Sequence, residues 1–226
     1  MLILNKLIIL FFLLITNVCA QTQIFCTVGD GITSFGDFNG PDDVPFTQAI
    51  NAITPGGTII AAGTFTFNAS VSISKPIKLQ SNNAIINGNN WALFFVTSPD
   101  VTIENFRLQD LTPDISYPLI LCLASNCKII NCDFFGGNTI TENPMFIQFF
   151  AGDNRWVQNC TFDSTGNWTA VLAQNGFGLH LIDNNVKGIG NTILNKFFHG
   201  QNERKGIISN NVIDNIICND SLFKLE

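Results

Sequence analysis

Lys128-Ile129-Ile130-Asn131-Cys132-Asp133-Phe134 is the stretch that decides the fold. Apolar and polar positions alternate up to Asn131 and alternate again after it, which reads as two short strands joined by a bend. Ile129 points inward and Ile130 outward. Past the bend, Cys132 and Phe134 point inward and Asp133 outward. Asn suits the bend because it tolerates left-handed backbone angles and bonds to the local backbone. The pattern recurs in Thr102–Leu108, Trp156–Phe162, His180–Val186 and Gly206–Val212, with bends at Asn105, Asn159, Asp183 and Ser209. The bends lie 26, 28, 24 and 26 residues apart. A period of that size marks stacked supersecondary units. The units are too short and too β-branched for helical hairpins. They read as coils of a parallel β-solenoid, stacked about 4.8 Å apart.

A second row of bends precedes the first: Ser125-Asn126, Asp153-Asn154, Gln174-Asn175 and Gln201-Asn202. Each closes an apolar strand, within Leu119–Ala124, Ile147–Gly152, Trp168–Ala173 and Asn195–Gly200. Every coil therefore has at least three strands. The many Asn residues read as turn formers with stacked amides rather than ligands. Counting back from the bends, the outward columns of this strand face are Ile120, Gln148, Thr169 and Lys196, then Cys122, Phe150, Val171 and Phe198. Phe150 and Phe198 on an outer face imply a covering loop or a partner.

The chain has 226 residues, 46% hydrophobic and 12% charged, enough for one core. Residues 1–20 read as a signal peptide: Lys6, an apolar run over Leu7–Ile15, and Val18-Cys19-Ala20 before the cleavage point. The run is too short to span a membrane comfortably. Losing Lys6 with the leader takes the net charge from −6 to −7. An acidic secreted chain argues against nucleic acid or anionic membranes as partners. Export permits disulfides and glycans. Cys132 and Cys160 share a repeat position on adjacent coils, so they form either a disulfide or a stacked pair of buried thiols. Sequons place glycans at Asn68, Asn167 and Asn219, whereas Asn159, a bend residue, is expected to stay bare. The cysteine spacing does not suit zinc.

Residues 21–57 read as an N-terminal segment and cap, and residues 58–226 as the solenoid. Phe46, Ala49, Ile50 and Ile53 fall on one helical face, with Asp42 or Asp43 at its start and Pro55-Gly56-Gly57 after its end. Such a helix covers the first coil, which otherwise exposes its core. The order Gly29-Asp30-Gly31, Asp42-Asp43, the helix, Gly56-Gly57-Thr58, Ala62-Gly63-Thr64-Phe65, Ile77-x-Leu79 and Ile85-x-x-Gly88 resembles the opening of secreted right-handed parallel β-helix proteins of the pectin-lyase-like superfamily. The later Ile-x-Asn-x-x-Phe coils are similar too. The resemblance covers about Val28 to Val212. It implies a right-handed parallel β-helix of about six or seven coils, and extracellular binding or cleavage of acidic polysaccharides.

The chemistry such relatives use is thin here. β-Elimination needs a basic residue and a cation or Arg against the uronate, and hydrolysis needs paired carboxylates. Asn138-Thr139, Phe198-His199-Gly200 and Arg204-Lys205 resemble parts of the polygalacturonase pattern, but the Asp pair between them is missing. Gly152-Asp153-Asn154-Arg155-Trp156 resembles a turn of one group of β-helix lyases without its downstream basic and acidic residues. His199, Arg155 and Asp153 are the catalytic candidates, with Lys196, Arg204 and Lys205 near His199. Trp91, Trp156 and Trp168 are candidate sugar platforms. No cofactor is evident, and Ca²⁺ is implied only for a lyase. The expected function is a secreted β-helix protein that binds polysaccharide or serves a structural role without an intact catalytic site. The alternative is a lyase or hydrolase of uronate-containing, pectin-like glycans. Residues 213–226 show no second cap, so self-association through the C-terminal end is a third expectation.

Overall fold

The computed structural model describes residues 23–88, 92–110, 117–137, 144–165, 168–188, 193–214, 217–218 and 223–225. The leader at 1–20, Trp91, Asn138-Thr139, Asn167 and Asn219 lie outside them. Among the described residues, the strands form three all-parallel sheets of nine, seven and eight strands, wound as a β-solenoid of about six turns. One coil shows the plan. Lys128–Ile130 lies in the first sheet, Asp133–Gly136 in the second and Met145–Phe149 in the third, and the chain returns to the first sheet with Gly152–Gln158.

The strands around Asn131 form as the alternation requires. Ile129, Cys132 and Phe134 are buried, Ile130 is partly exposed and Asp133 is exposed. Asn131 turns the corner at φ 54°, as do Asn83, Asn105, Asn159 and Asp183 on neighbouring coils. In the last copy the corner is Asn210 at φ 55°, one residue later than Ser209. Ser209 instead pairs with Ile182 inside the strand. The second row of corners holds Asn126, Asn154, Asn175 and Asn202, also at positive φ, and extends back to Asp100. These side chains bond along the stack. The Asn159 amide donates to Asn131 at 2.7 Å, Asn154 to Asn126 at 2.9 Å, Asn126 to Asp100 at 2.9 Å and Asn202 to Asn175 at 3.1 Å.

Helix α1, Val44–Ala52, covers the N-terminal end. Pro45 pre-sets its first turn, and Pro45, Phe46, Ala49 and Ile50 are buried. Phe46 meets Phe65, Phe67 and Phe94 edge-on at centroid distances of 4.9, 5.1 and 6.1 Å. Each such buried ring contributes about 1.5–3 kcal/mol of hydrophobic stabilisation. Asp43 precedes the helix without capping it. Its carboxylate instead accepts from the N–H groups of Asn68 and Ala69, tying the cap to the first coil. The sequence over 21–40 shows little periodicity, yet Gln23–Gly29 is a strand paired along Ile53–Ala62. Exposed Ile24 and Phe25 hide its alternation.

The third sheet departs from the expected register by a different amount in each coil, and Gln148 points outward as expected. Phe94, Ile120, Ile147, Val171 and Phe198 form one buried column, with Cys122, Phe149 and Ala173 in the next. The outward column is Phe95, Leu121, Gln148, Leu172 and His199. Ile120, Cys122, Val171 and Phe198 are therefore core residues. Phe150 is exposed, but it sits past the strand end rather than in a column. The cause is turn length. From the shared column to the corner Asn is four residues in Cys122–Asn126, five in Phe149–Asn154 and two in Ala173–Asn175, so counting back from the corners misaligns the strands.

The cysteines follow the corrected register. Cys122 and Cys127 point inward on either side of the Asn126 corner and form a disulfide. Cys132 and Cys160 are not paired as a disulfide. Both are free and buried. Their parallel side chains direct each thiol at carbonyls, Cys132 to Ile130 at 3.4 Å and Cys160 to Gln158 at 3.4 Å. Burial, then the adjacent Cys132, push the Cys160 thiol well above its ordinary range.

Candidate functional site

Arg155 is placed by strand alternation on the inner face, beside buried Val157. It is fully buried and pairs with Glu203, which is itself 4% exposed. The guanidinium lies 5.3 Å from the Phe149 ring centroid. Gly176 lets it pass: a Cβ there would collide with the guanidinium. A buried, paired Arg has no access to a substrate, so Arg155 leaves the list of catalytic candidates. His199 faces outward on the third sheet, its Nε2 3.4 Å from the Gln201 amide nitrogen. Asp153 is exposed at the corner entering the first sheet. The three expected residues thus lie on an outer face, in the core and at a corner, and form no common cluster.

The tryptophans are also engaged. Trp168 is buried, stacks on Phe146 at 4.4 Å and donates to the Gly137 carbonyl at 2.9 Å. Trp156 lies flat against His180, centroids 3.9 Å apart, and its indole N–H donates to Asn154 at 3.0 Å. One Trp156 face is therefore unavailable to a sugar. Among the described residues, no group of three His, Cys, Asp or Glu is placed to hold a metal ion. The outward column of the third sheet offers Leu121, Gln148, Leu172 and His199, a donor set unlike the six to eight oxygens that Ca²⁺ takes.

The corner between the third and first sheets carries a different arrangement. Asp153 pairs in register with Phe177, and Phe177 with Arg204. An exposed aromatic ring thus stands between a carboxylate and a guanidinium on successive coils. They line an open groove of about 440 Å³ together with Asn175, Gly176 and Asn202. Phe177 is 46% exposed, and the Lys205 ammonium sits 5.3 Å from its ring centroid. The backbone holds the column: the Gly178 N–H donates to the Arg204 carbonyl at 2.8 Å and the Arg204 N–H to the Gly176 carbonyl at 3.1 Å. Further along the same ridge, a second groove is lined by Asp100, Thr102, Asn126, Lys128 and Asn154.

Asp153 was legible as a candidate, but Phe177 was not. The available signal is Gly176-Phe177-Gly178, an aromatic flanked by glycines just past a corner Asn, where no core column needs it. Gly178 takes φ 75°, a conformation that suits glycine. Asn68 lies exposed after Phe67, in reach of modification. Neither a family model, nor a curated protein, nor a solved structure matches this chain.

Proposed function

We propose that this chain is a secreted, non-catalytic parallel β-helix protein of the pectin-lyase-like kind that binds extracellular polysaccharide. The observation that carries the reading is the exposed column Asp153, Phe177 and Arg204 with its hydrogen-bonded amide ridge. A sugar ring offers an apolar C–H face to an aromatic and hydroxyls to planar polar groups, and this column presents both kinds of partner. The burial of Arg155 against Glu203 further favours binding over cleavage, because it removes the guanidinium that would have faced a uronate.

The test uses purified full-length secreted protein. Retention on one or more immobilised polysaccharides is measured beside unsaturated-uronate absorbance and reducing-sugar release, with and without Ca²⁺. Retention without product supports the reading. Product from pectate or another uronate polymer, abolished by His199→Ala, establishes the lyase or hydrolase alternative instead. No retention on any glycan removes the binding role and leaves a purely structural one, for which sedimentation checks self-association through the C-terminal end.

A further inference from the structure

The charges along the corner ridge are balanced at each groove. Asp153 faces Arg204 across Phe177, and Asp100 and Lys128 share the second groove. The charges lining each groove cancel, with Lys205 a further cation beside Phe177, and the chain as a whole carries −6. A ligand with a carboxylate on every sugar would meet Asp153 and Asp100 at close range and the net negative field at long range.

A hydroxyl, by contrast, both donates and accepts, so it satisfies Asp153, which only accepts, and Arg204, which only donates. The Lys205 ammonium lies 5.3 Å from the Phe177 ring centroid, and with Phe177 46% exposed part of the ring remains open to a sugar face. The polar groups recur at the coil spacing of about 4.8 Å. The amides of Asn202 and Asn175 are joined along the solenoid axis, as are those of Asn154 and Asn126 with the Asp100 carboxylate that accepts from Asn126. A ligand that uses both grooves is therefore a chain lying along that axis.

We infer that the corner ridge binds a neutral polysaccharide, with one sugar ring on Phe177 and its hydroxyls between Asp153 and Arg204. This rests on the polysaccharide-binding reading above and narrows it to uncharged chains. In affinity electrophoresis, the full-length secreted protein is run through gels containing a mixed-linkage β-glucan, a galactomannan, an arabinan, pectate or alginate, at low and moderate salt. The expected result is retardation by a neutral glycan that salt does not weaken. Phe177→Ala weakens it by about tenfold or more. Arg204→Gln weakens it too, while Phe177→Tyr preserves it. Arg107→Ala, on the second sheet, leaves it unchanged. Circular dichroism and thermal midpoints of each variant separate lost contacts from lost folding. Retardation by pectate or alginate alone overturns the neutral-ligand inference and leaves polysaccharide binding standing. Neutral-glycan retardation that survives both Phe177→Ala and Arg204→Gln overturns the site. Retardation by no glycan overturns both readings.

Discussion

Arg155 and Glu203 form an ion pair inside the solenoid although they are 48 residues apart in sequence. The guanidinium reaches across the intervening coil through the space left by Gly176, and its Nη1 also donates to the Gln174 carbonyl at 3.4 Å. The pair therefore fastens the coil that carries Glu203 to one two turns earlier.

Removing one partner strands the other as a buried charge. Arg155→Ala or Glu203→Ala should each lower stability by about 3–5 kcal/mol. Replacing both with Met should lower it far less. Gly176→Ala should lower stability by about 1–3 kcal/mol through overpacking, and the Arg155→Ala background should relieve only part of that loss, because the Gly152 carbonyl oxygen also lies 2.5 Å from the added Cβ. Urea-denaturation midpoints of the single and double variants measure both couplings.

The thiols offer a covalent check. Peptide mapping under non-reducing conditions should find Cys122 joined to Cys127 and no link between Cys132 and Cys160. Cys26, Cys132 and Cys160 should resist alkylation until the protein is unfolded. For Cys26, burial and then the Asp37 carboxylate push the thiol up to about 11, which keeps it protonated at neutral pH.

Acid sensitivity should centre on Asp30. Burial alone raises its carboxyl. The Thr33 hydroxyl and the N–H groups of Thr64, Ile32 and Ser34 outweigh burial and hold it well below the ordinary carboxylate range. A depressed folded-state value gives stability that is present above the unfolded value of about 4 and fades as pH falls from there toward the folded one. Asp30→Asn should lower the urea midpoint at neutral pH and flatten its decline in acid. Asp163 acts with the opposite sign. Burial raises its carboxyl against the lowering effects of the Ser164 N–H and Lys187, so ionisation opposes folding. Asp163→Asn should raise the midpoint at neutral pH.

Expression in a eukaryotic secretory host should yield folded protein with glycan on Asn68 and none on Asn159. The Asn159 amide nitrogen that a glycan would occupy donates to Asn131 at 2.7 Å. Mass spectrometry of glycopeptides reads the outcome. Glycan on Asn159 in folded protein would show that the amide row is dispensable there.

The sequence by itself determined the solenoid, the coil period, the capping helix and both rows of corners except the last, which is Asn210 rather than Ser209. Each rests on a local rule: two-residue alternation around Asn131, left-handed corners favouring Asn and Asp, and a helical face over Phe46, Ala49 and Ile50. Tertiary structure decided the faces of the third sheet and everything that depends on them. Leu119-Ile120-Leu121-Cys122-Leu123 is apolar at both parities, so alternation does not choose which side is inward, and a one-residue slip exchanges the faces. That slip turned Cys122 outward and hid its partner Cys127. It also offered Phe198 as a surface aromatic. Arg155 looked like a corner side chain because its buried partner lies two coils away. The column Asp153, Phe177 and Arg204 likewise exists only through coil-on-coil register, since turns of unequal length put residues from three coils side by side at spacings that no fixed sequence period specifies.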